Sequence, residues 1–138
     1  MPKWAQEMTK TVPTILIVES DSPTLQLYQR ALSLDYEVLA CSDETQALKM
    51  LETRELQAVV LEPAIYGGRG WSLLASLKAA PQTQFVPVIL CTILDERKRG
   101  LEMGAAACLV KPVLPTTLLQ TLRKVTESDV SFGDGAAG

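Results

Sequence analysis

Residues 14–23 read Thr-Ile-Leu-Ile-Val-Glu-Ser-Asp-Ser-Pro, an aliphatic run that ends abruptly in acids and a helix-start signal. The run is continuously apolar rather than alternating, which is the pattern of a strand covered on both faces and hence of a parallel sheet. After it, Ser22 followed by Pro23 reads as an N-cap with proline at the first helical position. Leu25, Tyr28 and Leu32 then fall on one helical face. A buried strand, an acidic turn and an amphipathic helix thus follow one another within about twenty residues, the first half of a βαβ unit.

The same alternation repeats outward from that stretch. Apolar runs at Glu37–Cys41 (EVLAC), Ala58–Leu61 (AVVL), residues 86–91 (VPVILC) and Ala107–Val110 (ACLV) read as four further strands. Helical stripes lie between and after them: Ala47, Leu48 and Leu51; Trp71, Leu74 and Leu77; a charged stretch over residues 94–103 stopped by Gly104 in the manner of a glycine C-cap; and Leu118, Leu122 and Val125. The order is (βα) five times. Right-handed crossovers place helices on both faces of one sheet, an α/β three-layer sandwich whose ligand site belongs at the carboxyl ends of the strands. The expected division is a polar N-terminal tail over 1–12, one domain over 13–126, and a small-residue-rich C-terminal tail over 127–138.

Composition narrows the function classes. With 138 residues, 47% hydrophobic and 21% charged, the chain suits one globular domain with its own core. A net charge of −3 leaves no basic footprint for nucleic acid. No apolar run approaches the roughly 20 residues of a membrane span, and residues 1–10 (MPKWAQEMTK) lack a signal peptide's apolar middle, so the expectation is a cytoplasmic protein without a membrane partner. Cys41, Cys91 and Cys108 are far apart in apolar segments and read as buried reduced thiols. Histidine is absent, which excludes an imidazole-based dyad, an imidazole-ligated zinc and a phosphohistidine relay within this chain.

Just past the strands stand Glu19-Ser20-Asp21, Glu62, Thr92 and Lys111-Pro112. The fold converges them. Acids, a hydroxyl and an amine around one point are groups that hold a hard divalent cation with an anion beside it, so a phosphoryl-transfer site is one reading of this set.

These segments resemble the receiver domains of response regulators. ILIVESDSP is similar to the family's opening strand and acidic cluster. LEPAIYGGRG has the spacing of its D-x-x-M-P-x-x-x-G phosphorylation segment, with Gly70 at the glycine. PVILCT ends in Thr92 at the switch hydroxyl, and GLEMGAAACLVKP resembles the closing segment with its Lys-Pro. The resemblance covers about residues 14–125. It implies a flavodoxin-like sheet of order 2-1-3-4-5, a two-component signalling or phosphorelay role, phosphoryl transfer from a histidine kinase onto an aspartate with Mg²⁺, Thr92 and Lys111 as phosphoryl contacts, and a cis peptide before Pro112.

Several positions depart from that pattern. Glu62 stands where the family has its phosphoacceptor aspartate, its carboxylate carried roughly 1.5 Å further out by one extra bond. Misplacement of an attacking group by on the order of 1 Å costs about a hundredfold in rate, so transfer is expected to be impaired. Ser20 replaces the second acid of the metal-binding pair, which leaves Glu19, Ser20 and Glu62 as a degenerate metal set with Asp21 as a substitute next door. A serine is a neutral, weak ligand, and the expectation is no cofactor, with Mg²⁺ held weakly at most. Ile65 and Tyr66 replace the segment's methionine and proline, and Cys108 stands where the resemblance implies the aromatic switch residue. The segment from Thr92 to Lys111 is also a few residues shorter than the family's.

Glu62 has three readings: a neutralised relic, a mimic of the phosphorylated state, or an acid paired with Lys111. The pair is the expected one, since each group needs a partner when partly buried. Thr92 as a plain strand-end hydroxyl, Trp71 as core, and Arg97, Lys98 and Arg99 as a solvated helix face are the simpler alternatives to functional roles. Tyr66, beside Gly67 and Gly68, is expected on a loop as a contact residue.

The resulting expectation is a signalling module, not an enzyme. It would be a pseudo-receiver that recognises a protein partner such as a histidine kinase or output protein, or that homodimerises through the last strand and its flanking helices. The alternative is a receiver that still accepts a phosphoryl group with Mg²⁺. A flavin carrier on the same sandwich is disfavoured, because ESDSP stands where a phosphate-binding loop would be needed.

Overall fold

The computed structural model describes residues 12–135, with side chains through Glu127 and excepting Tyr66. Five strands, β1 (Thr14–Val18), β2 (Glu37–Cys41), β3 (Ala58–Leu61), β4 (Val88–Thr92) and β5 (Ala107–Val110), alternate with five helices. The helices are α1 (Ser22–Leu32), α2 (Glu44–Thr53), α3 (Ile65–Ala79), α4 (Arg97–Glu102) and α5 (Pro115–Gly135). All strand pairs are parallel, and the sheet order is β2-β1-β3-β4-β5. The expected three-layer flavodoxin-like sandwich is the observed fold.

Strand side chains explain the unbroken apolar runs. Leu16, Val18, Val59, Leu61, Val88 and Leu90 point into one core with Ala47 of α2 and Leu73, Leu74 and Leu77 of α3. Their neighbours Ile15, Ile17, Ala58, Val60, Ile89 and Cys91 point into the other, with Tyr28 and Leu32 of α1 and Leu118 and Leu122 of α5. Successive side chains on a strand face opposite ways, so a sheet buried on both sides needs apolar residues at every position. Each fully buried Leu or Ile contributes about 2 kcal/mol in transfer free energy, and only a strand order that covers both faces collects it from all of them.

The boundaries differ from expectation in informative places. Asp21, not Ser22, caps α1: its carboxylate accepts the Thr24 amide at 3.2 Å, and Ser22 and Pro23 lie inside the helix. β4 begins at Val88 because Pro87 has no N–H for the ladder, and it extends through Thr92. α4 is six residues rather than ten, starting at Arg97 after Asp95 has bound the Arg97 amide at 3.2 Å. Gly104 ends this segment with φ +98°, as expected of a glycine stop. Residues 65–70 belong to α3 instead of a loop, with Gly67 and Gly68 at positive φ; the contact role expected of Tyr66 concerns a side chain outside those described. Leu48 is on the expected stripe but 37% exposed. α5 continues past residue 126 to Gly135, so the proposed C-terminal tail starts inside a helix. Residues 1–11 of the expected N-terminal tail, and 136–138, lie outside the described residues.

Candidate functional site

Among the described residues the buried polar or charged side chains are Glu19, Glu62 and Thr92, and all three stand at carboxyl ends of strands. β1 and β3 pair directly, with Val18 opposite Leu61, so Glu19 and Glu62 emerge side by side at the same edge. The Glu62 amide is tied to the Val18 carbonyl at 2.9 Å, and the Glu19 amide to the Cys41 carbonyl at 3.1 Å. β4 and β5 end together, Thr92 opposite Val110, and the Lys111 amide donates to the Thr92 carbonyl at 2.6 Å. The register of four strands therefore delivers Glu19, Glu62, Thr92 and Lys111 to one place. The Lys111–Pro112 peptide is cis, as the resemblance implies.

Lys111 lies between the two acids. Its Nζ is 2.7 Å from Glu19 Oε1 and 3.3 Å from Glu62 Oε2. The pair expected between Glu62 and Lys111 is present, and Glu19 is a second and closer partner. Ser20 Oγ donates to Glu62 Oε2 at 3.3 Å, and the Asp21 amide donates to Glu19 Oε2 at 3.2 Å. The two carboxyl groups are close enough to influence each other's ionisation.

That arrangement separates the two acids electrostatically. Burial pushes Glu19 up to about 7, reinforced by the bond to Glu62, and the Lys111 bond only partly offsets this. Burial also pushes Glu62 upward, but the bond from Glu19 and the charge and hydrogen bond of Lys111 outweigh it and hold this carboxyl below the usual glutamate range. Of the two acids, Glu19 is the one that gives up its proton at the higher pH. Lys111 is pulled down by burial, yet the two acids outweigh that and hold its ammonium above the ordinary lysine value.

The remaining candidates are engaged elsewhere. Asp21 spends its carboxylate on the Thr24 amide and hydroxyl at the start of α1, and these bonds hold it below the usual aspartate range. Thr92 Oγ1 donates to the Leu94 carbonyl, which turns it toward the loop after β4. Cys108 is half-buried, and burial raises its thiol although the nearby Thr92 hydroxyl opposes the shift. Cys41 and Cys91 are buried and free, their thiols pushed up to about 11 and about 12 by burial, as expected of buried reduced thiols; Cys108, also free, is only partly buried and departs from that expectation.

Two further residues shape the site. A Cβ on Gly70 would lie 2.5 Å from Pro63 Cα and 2.6 Å from the Glu62 carbonyl oxygen, so only glycine lets α3 lie against the backbone that carries Glu62. Trp71, next in the chain, is half-buried and carries the Arg99 guanidinium 4.0 Å from its ring centroid, linking α3 to α4. Arg97, Lys98 and Arg99 are exposed, as expected of a solvated helix face; Arg99 makes the ring contact from there, and Arg97 pairs with Asp95 at 2.6 Å. Nothing in the residue pattern announces the Arg99–Trp71 stacking, because it depends on how two helices lie side by side.

The donor set does not fit a hard divalent cation. Mg²⁺ requires a near-octahedral shell of oxygens and is usually held by one or two carboxylates with several waters. Here an ammonium stands between the two carboxyl groups, Ser20 is neutral, and Asp21 is committed to a helix cap. Among the described residues no group of three or more His, Cys, Asp or Glu is placed to hold a metal ion.

A doubly covered parallel sheet with acids, a hydroxyl and a lysine at its carboxyl edge is the architecture of phosphorylation-type signalling domains. The family model for the response regulator receiver domain matches residues 15–123, and the chain belongs to that family. It is therefore a receiver domain of two-component signal transduction. It is 32% identical over 116 residues to the response regulator PleD of Caulobacter vibrioides, which is 81% of this chain and 26% of that protein. To the transcriptional regulatory protein HprR of Escherichia coli it is 31% identical over 110 residues, 79% of this chain and 49% of that one. The chain thus spans a quarter to a half of these relatives' length. Among solved structures, the chemotaxis response regulator CheY4 of Vibrio cholerae superposes with TM-score 0.77 at 25% identity, over 83% of this chain and 99% of that one. The receiver domain of sensor histidine kinase PA1611 from Pseudomonas aeruginosa, solved with magnesium in its active-site cleft, superposes with TM-score 0.76 at 25% identity, over 86% and 100%. Among the described residues no helix is long and apolar enough to cross a membrane.

Proposed function

We propose that this receiver domain signals by binding a protein partner, with phosphoryl acceptance lost or strongly impaired. The observation that carries the reading is the state of Glu62: the acid at the family's phosphoacceptor position is a glutamate whose Oε2 already accepts from Ser20 and pairs with Lys111. An attacking oxygen in that position is displaced by a methylene and neutralised by an ammonium, and both effects oppose in-line attack on phosphorus. Thr92 supports the same reading, since its hydroxyl is bound to a backbone carbonyl and not held toward an anion.

The partner is a protein, such as a histidine kinase or an output protein. Ile93, Leu94, Leu101, Val110 and Leu114 are 65%, 68%, 54%, 38% and 66% exposed around the open edge of β5 and its flanking elements, an apolar set suited to a protein surface. A second copy of the chain is one such partner. Magnesium, which PA1611's receiver domain holds, is not part of this function, because the donors here are already taken.

Intact-mass spectrometry after incubation with Mg²⁺ and a small phosphodonor such as acetyl phosphate tests the reading. The expected result is unmodified protein. A stoichiometric phosphoryl adduct would overturn it in favour of a phosphorylation-competent receiver.

A further inference from the structure

We infer that Lys111 is the resident cation of this site: its ammonium takes the place between the Glu19 and Glu62 carboxylates that a divalent ion would need, and its removal turns the acid pair into a metal-responsive site. The inference deepens the proposed function and rests on its view that the site is closed to phosphoryl chemistry.

The argument is one of charge and space. Glu19 and Glu62 are 1% and 6% exposed, gathered around the same ammonium, and delivered to the same edge by the pairing of β1 with β3. Two carboxylates brought together out of water need positive charge between them. Lys111 provides it at 2.7 and 3.3 Å, and its own side chain is only 16% exposed, so it is a fixed part of the site and not a mobile surface charge. Glu19 Oε2 accepts from the Asp21 amide, and Glu62 Oε2, the oxygen facing Lys111, accepts from Ser20 as well. A metal ion entering such a site would have to displace the ammonium, strip these hydrogen bonds and lose part of its own hydration shell. An ammonium accomplishes the same neutralisation with no ligand geometry to satisfy.

Removing the amine reverses this balance. In Lys111→Met the stem is replaced by an apolar side chain of similar length, the two acids lose their counter-charge, and the vacated position faces two carboxylates and the Ser20 hydroxyl. A divalent cation then stabilises the folded state by mass action, because the unfolded chain offers no comparable pair.

Thermal unfolding of the native protein and of Lys111→Met, with millimolar MgCl₂ against EDTA at matched ionic strength, tests this. The native protein should show the same midpoint in both, and Lys111→Met should gain roughly 2–8 °C with Mg²⁺. If Lys111→Met is unfolded in EDTA, Mg²⁺ should restore its far-ultraviolet circular dichroism. Adding Glu62→Gln should abolish the metal response, which locates it at the acid pair. A midpoint of the native protein that rises with Mg²⁺ overturns the inference, as does a Lys111→Met variant that Mg²⁺ neither stabilises nor refolds. These outcomes are separate from the fate of the proposed function, which is read from the phosphoryl adduct.

Discussion

Lys111 and Glu19 stand 92 residues apart in the chain and 2.7 Å apart in the structure. The contact ties the loop after β5 to the end of β1 across the two strands between them, and with Glu62 at 3.3 Å it closes a largely buried group of three ionisable side chains. Breaking a buried pair by removing one partner leaves the other charge uncompensated. Lys111→Met should therefore destabilise the domain by about 3–5 kcal/mol in metal-free urea denaturation. A loss under about 1 kcal/mol, the usual worth of a surface pair, would show that water screens this site after all.

Stability should fall as pH rises through neutrality. Glu19 holds its proton to about 7 in the folded domain against 4.5 for an ordinary glutamate, so its contribution is full below the ordinary value and is lost as pH climbs through about 7. Glu62 is shifted the opposite way; its contribution is present above the ordinary value and is lost only on acidification. Between about pH 5 and 7.5 the Glu19 term dominates this site, so the urea midpoint should be higher at the acidic end of that window. Glu19→Gln should flatten the profile there. An unchanged slope in that variant would assign the dependence to another group.

Gly70→Ala should cost about 1–3 kcal/mol, the range for forcing an extra carbon into a packed site. The clash is with backbone atoms, Pro63 Cα at 2.5 Å and the Glu62 carbonyl at 2.6 Å, and cannot be relieved by rotating a side chain. Either α3 or the segment carrying Glu62 must move. Amide chemical shifts in the variant should therefore change at Glu62 and Pro63's neighbours, while those of β2 stay put.

Asp21→Ala should lower the urea midpoint, as loss of an N-cap does, because the carboxylate holds the Thr24 amide at 3.2 Å. It should leave the response to Mg²⁺ unaltered. A changed metal response would mean that Asp21 joins the acid pair in solution, contrary to its role as a cap.

Arg99→Ala should alter tryptophan emission, since the guanidinium sits 4.0 Å from the Trp71 ring. The stability loss should be about 0.5–1 kcal/mol, the range for a partly exposed cation–π contact. An unchanged spectrum would place Arg99 in solvent.

The chain alone determined the fold. Continuous apolar runs at Thr14–Val18 and Ala58–Leu61 require a sheet covered on both faces, and helical stripes between the strands leave crossover connections as the way to cover it. It also determined which residues meet, because the groups following parallel strands gather at one edge: Glu19, Glu62, Thr92 and Lys111 were all legible as a set. Only the tertiary structure decided how that set is wired. Lys111 lies closer to Glu19 than to Glu62, burial raises the Glu19 carboxyl, Asp21 turns away to cap α1, and Thr92 bonds to Leu94. These choices depend on tenths of an ångström between groups distant in the chain and on how deeply each is buried. Residue type and spacing carry neither quantity, so the members of the site can be read from the sequence while its charge state and partners are properties of the packed molecule.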